Sequence, residues 1–286
     1  MNDKDWKILK TLYKEKNITK TAEQLFLSQP SLSYRLKQLE KEFNITILYR
    51  GRRGIEFTEQ GEYLVRYANE MDLKLTDLKE KLSNIDKELN GTLRLGVSRS
   101  IALYKIPNLL MEFNSIHPKV QFSVNTGLNL DLINSVYKQE FHIGIVRGNH
   151  HWSDEKIVVS KETINIISNQ ELDMTKLPSI PRIDYGTDPA LTMIFDNWWT
   201  ENYSETPKVA MHVENMEIAK KMVSAGLGYT IVPGIVLEDG SEYKYNKELN
   251  GQDGEKLQWI TWVLFRKEYL ELSTVKTFID FLRGNY

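Results

Sequence analysis

Apolar residues in the first ninety positions recur at helical spacing, while after residue 91 they gather in short runs separated by helical stretches. Leu32, Leu36, Leu39 and Phe43 follow one another at spacings of four, three and four, the buried stripe of one helix. Ahead of it, Thr19 predicts the cap of a short helix over 20–25 with Ala22 and Leu25 inward, and Leu27, Ser28 and Gln29 form a tight turn. Ser28 or Gln29 caps the second helix, whose first turn accepts Pro30 because the missing N–H costs nothing there. The opposite face then carries Ser31, Ser33, Tyr34, Arg35, Lys37 and Gln38. Two short helices around so tight a turn, with hydroxyls, an amide and cations near the second helix's amino end, suit base edges and phosphates. Residues 49–58 follow, in which Gly51 and Gly54 bracket Arg52 and Arg53, and Ile55 and Phe57 alternate with polar residues. This predicts a turn and short strand, a wing presenting Arg50, Arg52 and Arg53 to phosphates.

Thr58 caps a long helix, with Glu59 and Glu62 in its favourable first turn, that runs to about residue 89. Leu64, Ala68, Met71, Leu75, Leu78, Leu82, Ile85 and Leu89 alternate spacings of four and three, a sustained heptad seam flanked by charge. Such a narrow seam either packs on its own domain or pairs with a second copy. Asn90 and Gly91 end the helix.

The remainder alternates strand and helix. Strands are expected at 92–97, 120–124, 143–146, 156–160, 163–167, 209–213, 229–232 and 259–266, and helices at 101–113, 128–138, 190–203, 216–225 and 272–282. This predicts an α/β body with a mostly parallel sheet in two lobes. The domain reading is 1–58 for the head, 59–90 for the linker helix and 91–286 for the body, with one lobe at about 91–160 and 267–286 and the other at about 161–266. Ligands in open α/β sheets sit beyond strand carboxyl ends. That rule selects Ser98, Arg99 and Ser100, then Thr126, then Arg147, then Asn215 and Met216; hydroxyls and arginines there suit a carboxylate.

Composition sharpens one point. Of the 286 residues, 37 are basic and 39 acidic, a net charge of −2, yet residues 1–58 hold 12 Lys and Arg against 7 Asp and Glu while the rest hold 25 against 32. A basic head on an acidic body is what a polyanion-binding module joined to a self-contained domain shows. Without cysteine there are no disulfides or thiolate metal sites. The amino terminus lacks the apolar core of a secretory signal and no run is long enough to span a membrane, so a cytoplasmic protein is expected.

The run from Thr21 through Ser28, Gln29, Pro30, Ser31, Ser33, Tyr34, Arg35 and Lys37 to Glu40, followed by Leu48-Tyr49-Arg50 and Thr58-Glu59-Gln60-Gly61, closely resembles the DNA-binding pattern of LysR-type transcriptional regulators. The likeness is dense over about the first sixty-five residues and looser beyond, mainly in Leu95-Gly96-Val97 and in 225–233. It implies a winged helix-turn-helix whose second helix enters the major groove of operator DNA, with Thr21 in the binding set. It further implies a linker helix that pairs protomers, a homodimer or homotetramer, RNA polymerase as a further contact, and a periplasmic-binding-protein-like effector domain. Arg147 follows a strand where relatives more often carry small or polar residues and some acid-sensing ones arginine. A small di- or tricarboxylate such as citrate is the effector expectation. His142 departs from the family's usual aspartate.

No G-x-S-x-G, Walker loop or H-E-x-x-H occurs, which leaves an enzyme reading without a motif. A solute-binding protein without gene control fits the second half alone, but not the basic head. His150 and His151 beside Asp154 and Glu155 read as a solvated loop rather than a metal site, and no cofactor is expected.

Overall fold

Asn2, Asn17 and Ser28 each start a helix in the head. The computed structural model describes residues 1–51, 54–83, 89–238, 240 and 243–285. Asn2 caps α1 (Asp3–Glu15) in a reciprocal box with Asp5; Asn17, in place of the expected Thr19, caps α2 (Ile18–Gln24) by accepting from the Lys20 N–H; Ser28 caps α3 (Gln29–Phe43). Leu32, Leu36 and Leu39 are buried as their spacing requires, but Phe43 is exposed, because it ends the helix just before Asn44 turns left-handed. β1 (Leu48–Gly51) and β2 (Gly54–Phe57) form the antiparallel wing. Thr58 donates its hydroxyl to the Thr46 carbonyl at 2.5 Å and accepts from the Gly61 N–H at 2.9 Å, fixing the start of α4 (Glu59–Ser83). Gly61 lies so close to the chain entering the wing that an added methyl would stand 2.2 Å from the Ile47 carbonyl.

The heptad seam divides. Leu64 and Ala68 belong to the head's own core with Ile8, Leu9 and Leu12 of α1, contrary to the expectation that they face a partner. Met71 and Leu75 are half-buried, and Leu78 and Leu82 are 51% and 58% exposed. Ile85 lies outside the described residues. Leu89 is not helical and packs on the core of the body. The chain separates into two compact units, Met1–Asp86 and Lys87–Tyr286.

The body starts with β3 (Gly91–Ser98), α5 (Arg99–Tyr104), α6 (Ile106–Ile116), β4 (Val120–Gly127), α7 (Asn129–Tyr137) and β5 (Ile143–Arg147). The single helix expected over 101–113 is two, broken at Lys105 because Pro107 fits only a first helical turn. The two strands expected at 156–167 are one, β6 (Glu155–Ser168). Then come β7 (Arg182–Tyr185), α8 (Pro189–Asn202), β8 (Val209–Val213), α9 (Met216–Ser224), β9 (Tyr229–Pro233), β10 (Tyr245–Glu248), β11 (Gln258–Phe265) and α10 (Ser273–Asn285).

Strands run in the order β4-β3-β5-β11-β6-β9-β7-β8, with β10 on β6. β3 is parallel to β4 and β5, and β7 is parallel to β8 and β9. β6 is the crossover: residues 155–163 pair with β11, and residues 164–168 pair with β9. Residues 261–265 of β11 pair with β5, so this stretch, read from sequence as second-lobe, lies in the first lobe's sheet. Two lobes therefore share β6 and β11 as their connection, and the parallel strands end in loops facing the space between them.

Candidate functional site

Ser28, the cap of α3, is exposed, as are Gln29, Pro30, Ser31, Tyr34 and Lys37 on the helix, and Ser33 is half-buried. The Ser28 and Ser31 hydroxyls lie 2.7 Å apart, and Gln38 donates to the Tyr34 hydroxyl at 2.7 Å, so the face is partly organised. Two residues of the expected set do other work. Thr21 is buried and donates to the Asn17 carbonyl at 2.7 Å, which locks the start of α2. Arg35 grips Asp5 of α1 with both prongs, at 2.5 and 2.6 Å, and this pairing holds α1 against α3. Arg50 stands on β1; Arg52 and Arg53 lie outside the described residues. Sequence reasoning passed over Phe26, in the turn before Ser28. Its φ is 55° and its surface 97% exposed, a bulky residue in the left-handed region with no core to fill.

In the body, a cleft of about 510 Å³ lies between the lobes. Ser98, Arg99, Ser100, Arg147, Asn215 and Met216, separate in sequence, all line it; Thr126 does not, since it is exposed on the edge strand β4 and only Gly127 reaches the cleft. Asn215 spends its side-chain oxygen capping α9.

Arg147, expected to meet a carboxylate, is 4% exposed and its charge is already paired within the protein. One amino group donates to Ser100 at 2.8 Å and the other is paired with Glu162 of β6, whose second oxygen accepts from the Ile235 N–H at 2.5 Å. Burial pushes the Glu162 carboxyl above its ordinary range, against the pull of Arg147 and the Ile235 N–H. Asn129 braces the same strand end, accepting from the Arg147 N–H at 3.1 Å and donating to its carbonyl at 2.9 Å and to Asp188 at 2.7 Å. Gly148, at φ 91°, lets the chain turn away, and a methyl there would stand 2.5 Å from the Trp259 ring. Among the residues that line the cleft, Ser98 Oγ and Arg147 Nε are buried and have no hydrogen-bond partner among the described residues.

Sequence reasoning also missed the second lobe's contribution. Asp188, Glu214 and Glu217 line the cleft, as do Tyr185 and Trp259. Asp188 caps α8 through the Ala190 N–H at 2.9 Å, and Glu217 accepts from the Tyr104 hydroxyl at 2.5 Å. Their position after β7 and β8 was the available signal.

A helix-turn-helix head and a two-lobed body with a polar cleft define a ligand-responsive DNA-binding regulator. Residues 4–62 match the model of the bacterial regulatory helix-turn-helix protein, lysR family, and residues 86–286 match that of the LysR substrate binding domain. The chain is 43% identical over 284 residues to the HTH-type transcriptional regulator YraN of Bacillus subtilis, covering 99% of this chain and 98% of that protein. It is 29% identical to YkuM of the same organism, covering 96% and 94%. The crystal structure of the LysR family transcriptional regulator CbnR superposes with a TM-score of 0.72 at 17% identity, covering 100% of this chain and 99% of that one. The chain belongs to the LysR family: it is a DNA-binding transcriptional regulator with an effector-binding domain, and the family is not one of enzymes.

Proposed function

We propose that the exposed face of α3, from Ser28 to Lys37, reads base edges in the major groove of operator DNA while the wing arginines hold phosphates. Phe26 adds an apolar contact beside the recognition helix. CbnR has been crystallised with its target DNA, which supports a DNA-binding role for a head of this fold. The outer part of α4, with Leu75, Leu78 and Leu82, pairs two copies, and two such dimers form a tetramer that presents its heads to successive half-sites and to RNA polymerase. No described helix is long and apolar enough to cross a membrane, which fits work on DNA in the cytoplasm.

The effector occupies the cleft, and one observation carries this reading: two residues that line a space large enough for a small metabolite, Ser98 and Arg147, each keep a buried donor with no acceptor among the described residues. An anionic group such as a carboxylate fits there. Citrate loses support, since Arg147 already has Glu162 and the opposite wall carries Asp188, Glu214 and Glu217. Calorimetry of the full chain with carboxylate-bearing metabolites tests the site. Binding should weaken in Ser98→Ala, and binding of every ligand unaffected by that change would place the effector elsewhere.

A further inference from the structure

We infer that the effector is a zwitterion of the α-amino acid type, its carboxylate held by the first lobe and its ammonium by the second. The inference rests on the cleft being the effector site. Arg147 Nε can only donate, so whatever meets it is an acceptor, and the hydroxyl of Ser98, which lines the same cleft, can donate as well, having no partner among the described residues. The guanidinium charge is already offset by Glu162, which is fixed by two contacts, so Arg147 brings a spare donor to the cleft lining without a surplus charge. It attracts one carboxylate through hydrogen bonds and has no surplus charge for several.

The remaining charges divide by wall. On the first lobe Arg99 is exposed and next in sequence to Ser98. On the second lobe the three carboxylates differ in how far they are committed. Asp188 already accepts from Ala190 and Asn129, and Glu217 accepts from Tyr104 and lies 3.8 Å from the buried Lys220. Glu214 is exposed and makes no hydrogen bond or ion pair with any described residue. The cleft thus offers an uncommitted cation with two spare donors on one wall and an uncommitted carboxylate on the other, backed by two more acidic groups. A di- or tricarboxylate would turn its second charge toward Glu214, Asp188 and Glu217, and like charges at close quarters are unfavourable. A simple amine would leave Ser98 and Arg147 Nε unanswered. A molecule with one carboxylate and one ammonium satisfies both walls.

The test is calorimetry of the full chain against the twenty common L-amino acids, their decarboxylated amines, and succinate, malate and citrate. At least one amino acid should bind and its amine should not. Glu214→Gln, a conservative change at an exposed position, should weaken that amino acid about tenfold, the scale of one lost charge contact. Ser98→Ala should weaken it as well. Binding of a di- or tricarboxylate that is sensitive to Ser98→Ala but indifferent to Glu214→Gln would overturn the zwitterion and leave the cleft as the site. An amino acid that binds Ser98→Ala and Glu214→Gln as well as it binds the native chain would overturn both. No binding by any amino acid at concentrations up to about 10 mM would also overturn the zwitterion, because no regulatory affinity would remain.

Discussion

Asp5 at the start of α1 and Arg35 in the middle of α3 are joined by two parallel hydrogen bonds of 2.5 and 2.6 Å, although thirty residues separate them. Asp5 also closes the capping box of α1, so one carboxylate sets both the helix start and its placement on α3. Removing Arg35 leaves a buried carboxylate without its partner. Arg35→Ala should therefore lower the stability of the head by about 2 kcal/mol, below the usual cost for a fully buried pair because Arg35 is partly solvated. Thermal unfolding followed by circular dichroism checks it. An unchanged melting temperature with altered operator preference would return Arg35 to the reading face.

The same carboxyl gives a pH dependence. Burial is the largest single influence and raises its pKa, but the hydrogen bonds from Arg35 and the Asn2 N–H and the charge of Arg35 together outweigh it, so the group ionises below its ordinary 3.8. Its contribution is therefore complete above that value and is lost as the pH falls through the folded-state pKa. Urea unfolding at pH values from about 2 to 6 should show head stability declining at the acid end, and Asp5→Asn should flatten that decline. An unchanged slope in the variant would mean that other carboxylates govern it.

Phe26 gives opposite expectations for stability and binding. Asparagine tolerates the left-handed conformation better than a bulky side chain, so Phe26→Asn should stabilise the head by about 1 kcal/mol. The loss of an exposed ring beside the recognition helix should weaken DNA binding about threefold or more, a modest share of an aromatic contact. Fluorescence anisotropy and thermal unfolding on the same samples separate the two. Unchanged affinity would remove Phe26 from the interface.

The divided seam makes a further distinction. Leu64→Glu places a charge in the head core and should unfold the head, whereas Leu78→Glu with Leu82→Glu alters residues exposed in the protomer. The double variant should keep its circular dichroism spectrum and sediment as a smaller species. Native sedimentation with native folding would place the partner contact elsewhere on the molecule.

Much of this organisation was legible because it is periodic. Leu32, Leu36 and Leu39 marked α3 by spacing alone, and Ser28 with Pro30 marked its start, since capping and proline chemistry act within a few residues. Strand ends at Ser98 and Arg147 and the helix cap at Asn215, just past β8, located the cleft because parallel sheets open there. What escaped was set by tertiary contact. Nothing local in the chain pairs Arg35 with Asp5 or Arg147 with Glu162, and each pairing turned an expected ligand group into a positioned or neutralised one. β10 escaped for a different reason: it is a short polar strand that follows no apolar alternation and forms only because β6 offers an edge.

If the exposed face of α3 chooses the operator, selection from a randomised DNA library by the full chain and by Gln29→Ala will separate their preferred sites. Gln29 is exposed at the amino end of α3, and its amide can bond an adenine edge bidentately, a contact worth about 1–3 kcal/mol of discrimination. The native chain should enrich a two-fold symmetric motif, and Gln29→Ala should relax the preference at one defined position in each half-site while the rest of the motif persists. Identical motifs with identical enrichment from both proteins would mean that this face of α3 does not read the operator.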